Sequence, residues 1–242
     1  MTRVGVVGAA GRMGQEVCRA VESDPDLELV AQLDLDDSLD ALVESSCDVV
    51  VDFTVVDSAR ETLSFLAANS IHAVVGTTGF DDRDLDRLRS EFATSNCLVA
   101  PNFAIGAVLM IRFAELAAPH FETAEVIEYH HDGKVDAPSG TAIHTVERMA
   151  AASKDWSDDP TTNEVVAGAR GGEGTADIRV HSVRLRGVVA NQEVLLGTTG
   201  QTLSIRHDTV DRTSFMPGVI VACKRIGEFP GLTVGLDSFL GL

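Results

Sequence analysis

Five short runs of β-branched and aliphatic residues recur within the first 103 positions, with helix-forming stretches between them. They are RVGVV (3–7), LELVAQLD (27–34), DVVVDFT (48–54), HAVVGTTGF (72–80) and CLVAPNF (97–103). Their apolar residues are continuous rather than alternating, which is the pattern of a strand covered on both faces. Between the runs, Met13, Val17, Ala20 and Val21 recur at helical spacing after a glycine-rich loop. A turn at Asp24-Pro25-Asp26 ends that helix. Residues 58–69 and 82–92 read as two more helices, the second with acids in its first turn, where the helix dipole favours negative charge. Strands and helices in this alternation imply a parallel sheet with helices on both faces. Residues 1–103 are therefore expected to form a doubly wound α/β domain.

From 104 the pattern changes. A helix is expected at 105–118, a strand at 124–129 (AEVIEY) and a helix at 141–151. A glycine-rich, acidic passage, 153–175, reads as an exposed loop. The strands DIRVHSVRLRG, QEVLLG and TLSIRHD follow, with turns at Gly187 and Thr199-Gly200, and are expected to pair antiparallel. Residues 104–213 thus read as a second, α+β domain. SFMPGVIVACKRI closes the pattern as an amphipathic helix whose Pro217 suits its first turn.

At 242 residues with 45% apolar content the chain can bury a sizeable core, which excludes global disorder. Its 37 acidic against 19 basic residues, net charge -18, argue against nucleic acid as a partner, since phosphate binding needs clustered Lys and Arg. Any anionic ligand must find a local positive pocket in this negative field. Cys18, Cys47, Cys97 and Cys223 have no C-x-x-C spacing, so neither a zinc knuckle nor a redox dithiol is expected. The start of the chain lacks a signal-type apolar core, and the apolar run 105–111 is too short to span a bilayer. A cytoplasmic protein with reduced thiols and no membrane partner is the expectation.

Gly8, Gly11 and Gly14 form G-x-x-G-x-x-G between the first strand and its helix, and Asp34 ends the second strand. In that context a glycine-rich loop binds a dinucleotide: backbone approaches the pyrophosphate at a helix N-terminus, and the carboxylate takes the adenosine ribose hydroxyls. This makes the sheet Rossmann-type. Leu35 and Asp36 follow Asp34, so a ribose 2′-phosphate would meet repulsion and NADH should be accepted readily. Arg12, inside the loop, is long enough to reach a 2′-phosphate, so NADPH stays open as well. Gly76-Thr77-Thr78 and Pro101-Asn102-Phe103 fall at later strand ends, the edge where open α/β sheets bind ligands, and are expected on the nicotinamide side.

The stretch EYHHDGKVDAPSGTA, 128–142, concentrates polar chemistry. Adjacent histidines in an extended chain point to opposite faces, so His130 and His131 could not easily grip one metal ion, and no metal is expected. A solvated loop would leave unexplained why Pro138-Ser139-Gly140-Thr141 leads into a helix directly behind the cations. The functional reading is an anion pocket beside a proton donor. Backbone amides of Gly140 and Thr141 at the helix start, with the Thr141 hydroxyl, hold a carboxylate. Lys134 and one histidine add positive charge, the other histidine delivers a proton near neutrality, and Asp136 orients its neighbours.

Taken together, the glycine loop, VDFT (51–54), GTTGF (76–80), APNFAIGA (100–107) and HHDGKVDAPSGTA (130–142) resemble the dihydrodipicolinate reductases, also called 4-hydroxy-tetrahydrodipicolinate reductases, over nearly the whole chain. The resemblance implies an N-terminal dinucleotide-binding domain, 1–103, completed by 214–242. It also implies a central domain, 104–213, with a mixed sheet that binds substrate and builds a homotetramer. The activity implied is NADH- or NADPH-dependent reduction in lysine and diaminopimelate biosynthesis: hydride reaches the conjugated ring of dihydrodipicolinate, formed by loss of water from its hydroxylated precursor, and the enamine is protonated at carbon. By motif position His130 matches the acid/base residue and Lys134 the catalytic lysine, while His131, Gly140 and Thr141 match the substrate-carboxylate contacts. Gly8, Ala9, Ala10, Gly11, Arg12, Met13, Asp34, Gly76, Thr77, Thr78, Ala100, Pro101, Asn102 and Phe103 match the cofactor contacts. Asp132-Gly133 departs mildly from relatives that carry bulkier or basic residues there. Two rivals remain on residues alone: a reductase of another small imine diacid, and a non-catalytic dinucleotide-binding sensor or assembly protein.

Overall fold

A computed structural model describes all residues, Met1–Leu242. The chain forms two units, Met1–Ile105 with Arg212–Leu242, and Gly106–Asp211. In the first, β1 (Thr2–Val7), β2 (Leu27–Leu33), β3 (Val49–Asp52), β4 (His72–Val75) and β5 (Cys97–Val99) alternate with α1 (Arg12–Ser23), α2 (Asp40–Glu44), α3 (Val56–Ala68) and α4 (Asp82–Glu91). Every residue of β3 and β5 is buried, as continuous apolar strands require. Val50, Leu63, Leu66, Val75, Leu88 and Phe92 belong to one core cluster, and each such side chain contributes about 1.5–3 kcal/mol by leaving water.

The second unit begins within α5 (Ile105–Ala117). It continues with β6 (Thr123–His130), α6 (Gly140–Ala152), β7 (Gly172–Glu173), β8 (Arg179–Arg184), β9 (Ala190–Thr198) and β10 (Gln201–Thr209). Its sheet is mixed, ordered β10-β9-β6-β8-β7. Met110, Val126, Val146, Met149, Val180 and Val194 are packed in its core.

Of the three late strands expected to pair antiparallel, only the last two do so with each other. The run DIRVHSVRLRG does not pair antiparallel with its successor; β8 lies parallel to β6, and β9 takes the antiparallel position on the other side of β6. The reason is connectivity. β6, α6 and β8 make a strand–helix–strand crossover, which returns the chain in the same direction, whereas β9 and β10 are joined by the two-residue turn Thr199-Gly200 and must run antiparallel. The passage 153–175 also differs from a plain exposed loop. Val165 and Val166 are exposed, but the carboxylate of Asp159, only 8% exposed, takes Arg170 at 3.1 Å and Arg179 at 3.0 Å. Arg170 reaches on to Glu125 of β6 at 2.7 Å, so opposite charges tie the passage to the sheet.

The chain ends in the first unit with α7 (Met216–Arg225), β11 (Leu232–Val234) and α8 (Asp237–Leu240). Pro217 stands in the first turn of α7, which packs against α1, β1 and β4. β11 pairs parallel with β5 and extends the sheet to six strands, β11-β5-β4-β3-β1-β2. Neither β11 nor α2 is marked in the sequence: Thr233 interrupts the apolar run of β11, which is not fully buried, and the five residues of α2 are too few to show a helical period. All four cysteines are free and buried. Burial pushes the Cys47 thiol up to about 11 and the Cys223 thiol up to about 12, so both stay protonated and unreactive near neutrality. No helix is long and apolar enough to cross a membrane.

Candidate active site

On the first unit the glycine loop is folded onto the end of β2. Gly8 and Ala9 donate their N–H groups to Leu33 O at 2.8 and 3.1 Å, and Gly11 N–H reaches Gly8 O at 3.0 Å. Gly8 has φ +80, open to glycine and strained for other residues. At Gly14 an added Cβ would stand 2.0 Å from Gly8 O, so the helix can approach the loop only with no side chain there. Gly14→Ala is accordingly expected to lower stability by about 1–3 kcal/mol and to weaken dinucleotide binding. Urea unfolding and NADH fluorescence titration read the two effects; wild-type values in both would show that the loop yields without cost.

A cavity of about 680 Å³ opens beside this loop, in the range of small-molecule sites, lined in part by Gly8, Gly11, Asp34, Phe53 and Thr54. Asp34 accepts the Ala10 N–H at 3.1 and 3.0 Å on its two oxygens, so it braces the loop and stands at the groove. Asp37, Asp57 and Glu61 line the same cavity, and no Lys or Arg does. Arg12 is exposed at the start of α1, and Met13 beside it is half-buried. Bare backbone at a helix start, a groove of this size and a carboxylate just past the end of β2 fit a nicotinamide dinucleotide.

The strand-end residues meet through a carboxylate that sequence reading left without a role. Asp52, fully buried at the end of β3, accepts Thr54 N–H at 2.8 Å, Thr54 Oγ1 at 2.7 Å and Thr77 Oγ1 at 2.9 Å, all on Oδ1. Burial pushes its carboxyl above the ordinary range against these donors, and Oδ2 has no partner. Gly76 lies against the Phe53 ring, whose centroid is 5.7 Å from that of Phe103. Asn102 Oδ1 accepts Ala104 N–H at 2.9 Å, Ala100 is buried, and Thr78 and Pro101 are exposed.

The second unit holds the other group. β6 delivers His130 as its last residue, and the turn after it carries His131 exposed and Lys134 partly buried. Lys134 Nζ donates to both oxygens of Asp136 at 2.8 Å. Ser139 caps α6, its Oγ accepting Ala142 N–H at 3.2 Å, so Gly140 and Thr141 stand at the helix start. Space is open above Gly140, where a Cβ would meet nothing within 4 Å. Asp132 pairs with Arg186 at 2.7 Å, both exposed.

Behind His130 stand two residues to which the sequence reading assigned no role. Glu128, fully buried, lies 2.5 Å through Oε2 from His130 Nδ1. Arg184 of β8 clasps the same carboxylate, 2.9 Å to each oxygen. Burial alone would raise the Glu128 carboxyl, but hydrogen bonds from Arg184, Ser182 and His130 hold it below the ordinary value. Burial lowers the His130 imidazole below its usual value; Glu128 pulls it up, and Lys134 and Arg184 push it down. Residues two apart on a strand share a face, so Glu128 beside His130 was legible from spacing. Arg184, 56 residues beyond Glu128, was not.

Family models described as "Dihydrodipicolinate reductase, N-terminus" and "Dihydrodipicolinate reductase, C-terminus" match residues 2–103 and 106–240. The chain belongs to the dihydrodipicolinate reductase family. The 4-hydroxy-tetrahydrodipicolinate reductase of Nocardia farcinica is 55% identical over 247 residues, 99% of each chain, and that of Corynebacterium urealyticum is 50% identical over 248 residues, 100% of each. A solved structure, dipicolinate-bound dihydrodipicolinate reductase from a Paenisporosarcina species, superposes with TM-score 0.88 at 37% identity, covering 98% of this chain and 99% of that one. The resemblance read from the motifs and the expected fold class both hold. Dihydrodipicolinate reductase family membership makes the chain an oxidoreductase of lysine and diaminopimelate biosynthesis with NADH or NADPH as cofactor, and nothing in these relatives favours a non-catalytic sensor.

Proposed function

We propose that this chain reduces dihydrodipicolinate, formed from 4-hydroxy-tetrahydrodipicolinate by loss of water, to tetrahydrodipicolinate. The observation that carries the proposal is His130 at a strand end beside Lys134 and the open start of α6, a proton donor next to an anion cradle. The solved relative described as dipicolinate-bound supports a planar dicarboxylate as the ligand class. NADH or NADPH supplies the hydride when bound. The Gly140 and Thr141 amides, with the Thr141 hydroxyl and His131, hold one substrate carboxylate. Lys134 leaves Asp136 to meet substrate, and His130 gives the proton taken up at carbon. On the first unit, Gly8, Ala9, Ala10, Gly11, Arg12 and Met13 cradle the pyrophosphate, and Asp34 takes the adenosine ribose. Gly76, Thr77, Thr78, Ala100, Pro101, Asn102 and Phe103 line the nicotinamide side.

The acid-lined groove sets a cofactor preference. A 2′-phosphate near Asp34 and Asp37 meets like charge, and a pair of unit charges 4 Å apart near a protein surface is worth about 4 kcal/mol before screening. We expect kcat/KM for NADH to exceed that for NADPH by about tenfold or more. Coupling the protein to a dihydrodipicolinate synthase fed pyruvate and aspartate semialdehyde, and following loss of reduced-nicotinamide absorbance, tests both claims. Absence of synthase-dependent oxidation would remove the proposed reaction; equal use of NADPH would remove the preference alone.

The proposal extends to a homotetramer working in the cytoplasm. Support for the assembly is the sheet face opposite the packed core of the second unit, where Ile127, Tyr129 and Leu195 are half-buried and Arg206 lies over the Tyr129 ring at 5.2 Å.

A further inference from the structure

A proton donor is useful only if one ring nitrogen faces the substrate in a defined protonation state, and the second unit holds a device that defines it. Glu128 is fully buried, and its two oxygens are fully engaged: Oε2 by His130 Nδ1 at 2.5 Å and by Arg184 at 2.9 Å, Oε1 by Arg184 at 2.9 Å and by Ser139 N–H at 3.2 Å. A carboxylate gripped on both oxygens by a guanidinium stays ionised and can only accept, so the hydrogen in the Glu128–His130 contact belongs to Nδ1. Nε2 is then the nitrogen left to receive and deliver a proton. Burying an ion pair does little for stability by itself, so this arrangement calls for another reason than folding.

We infer that Glu128 is a positioning residue for His130, fixing its Nδ1–H tautomer and ring orientation, and that Arg184 holds Glu128 in place and ionised. The inference rests on the reading of His130 as proton donor. It also accounts for how a histidine that is neutral in the free protein becomes an acid. The groups facing His130 are Glu128 on its own strand, Arg184 on the adjacent strand, and Lys134, itself paired with Asp136, on the following turn. Their charges nearly balance. A dicarboxylate adds negative charge, shifts the balance toward imidazolium, and draws a proton to Nε2, while Glu128 keeps the Nδ1–H bonded throughout.

The first test leaves Glu128 and Arg184 unchanged. In the full chain labelled with 15N-histidine, the His130 ring signals, assigned by their loss in His130→Gln, should show Nδ1 protonated and Nε2 bare near neutral pH. An Nε2–H ring, or a mixture of tautomers, would overturn the inference. The second test is Glu128→Gln in the synthase-coupled assay. We expect kcat to fall about 100-fold with KM for NADH unchanged. We also expect the alkaline limb of the kcat profile to move about one pH unit lower, because the imidazolium has lost its anion. Glu128→Asp, which keeps the charge, should restore the limb and part of the rate. A lower rate with an unmoved limb would reduce Glu128 to a structural role. If Glu128→Gln does not fold, the tautomer measurement decides. Failure of the parent reading looks different: wild-type protein would show the Nδ1–H tautomer yet oxidise no NADH.

Discussion

His130→Gln is expected to lower kcat by about 10²–10⁴-fold, the usual worth of a positioned general acid, with the NADH dissociation constant unchanged. The reason is geometric. Glutamine retains size and hydrogen bonding to Glu128 but cannot be protonated, so the carbon to be protonated must draw on solvent. His131 offers no substitute: it follows His130 directly, lies exposed on the turn, and has no buried carboxylate behind it. His130 is not among the residues lining the groove proposed for the dinucleotide, so cofactor binding has no cause to change. Synthase-coupled turnover and NADH fluorescence titration on the same preparation check the two halves. Wild-type turnover would remove His130 from the chemistry, and weakened NADH binding would place it at the cofactor.

Arg184→Met carries the largest expected effect on stability. It leaves Glu128 buried without its cation, and removing one partner of such a pair costs about 3–5 kcal/mol, whereas replacing both is often close to neutral. Urea unfolding at pH 7.5 should show the loss, and Glu128→Gln combined with Arg184→Met should recover most of it. The effect depends on pH with a definite sign. In the wild type Glu128 is held below its ordinary value, so its contribution is present above the unfolded carboxyl's titration and fades as pH falls through the lowered folded value. In the variant, burial without Arg184 raises the folded carboxyl above the unfolded one, so acid favours the fold. The stability gap between wild type and variant therefore narrows from pH 7.5 toward pH 4.5. A constant gap would mean that Arg184 acts through its packing and its bond to the Asp136 carbonyl rather than through charge.

The same residues show where reading a sequence succeeds and stops. The doubly wound domain was legible because each of its signs is short-ranged: β3 is four buried residues in a row, α1 repeats within one helix, and Gly8, Gly11 and Gly14 lie within one loop. The cluster from His130 to Thr141 was legible for the same reason, being one turn between a strand and a helix. Asp52 stood in view inside VDFT, yet its role depends on Thr77, 25 residues away. β11 was too short to announce itself, and it is a strand only because β5 offers an open edge.

The chain's own pattern thus determined the α/β class, the glycine loop and the family, and it placed in one short segment the residues proposed to carry the chemistry, since local periodicity and spacing are written in consecutive residues. Tertiary structure alone decided that β8 runs parallel to β6 and so sets Arg184 against Glu128 and His130. Which distant strand pairs with which depends on the direction of a crossover and on the burial it completes, and those are properties of the whole fold rather than of any segment.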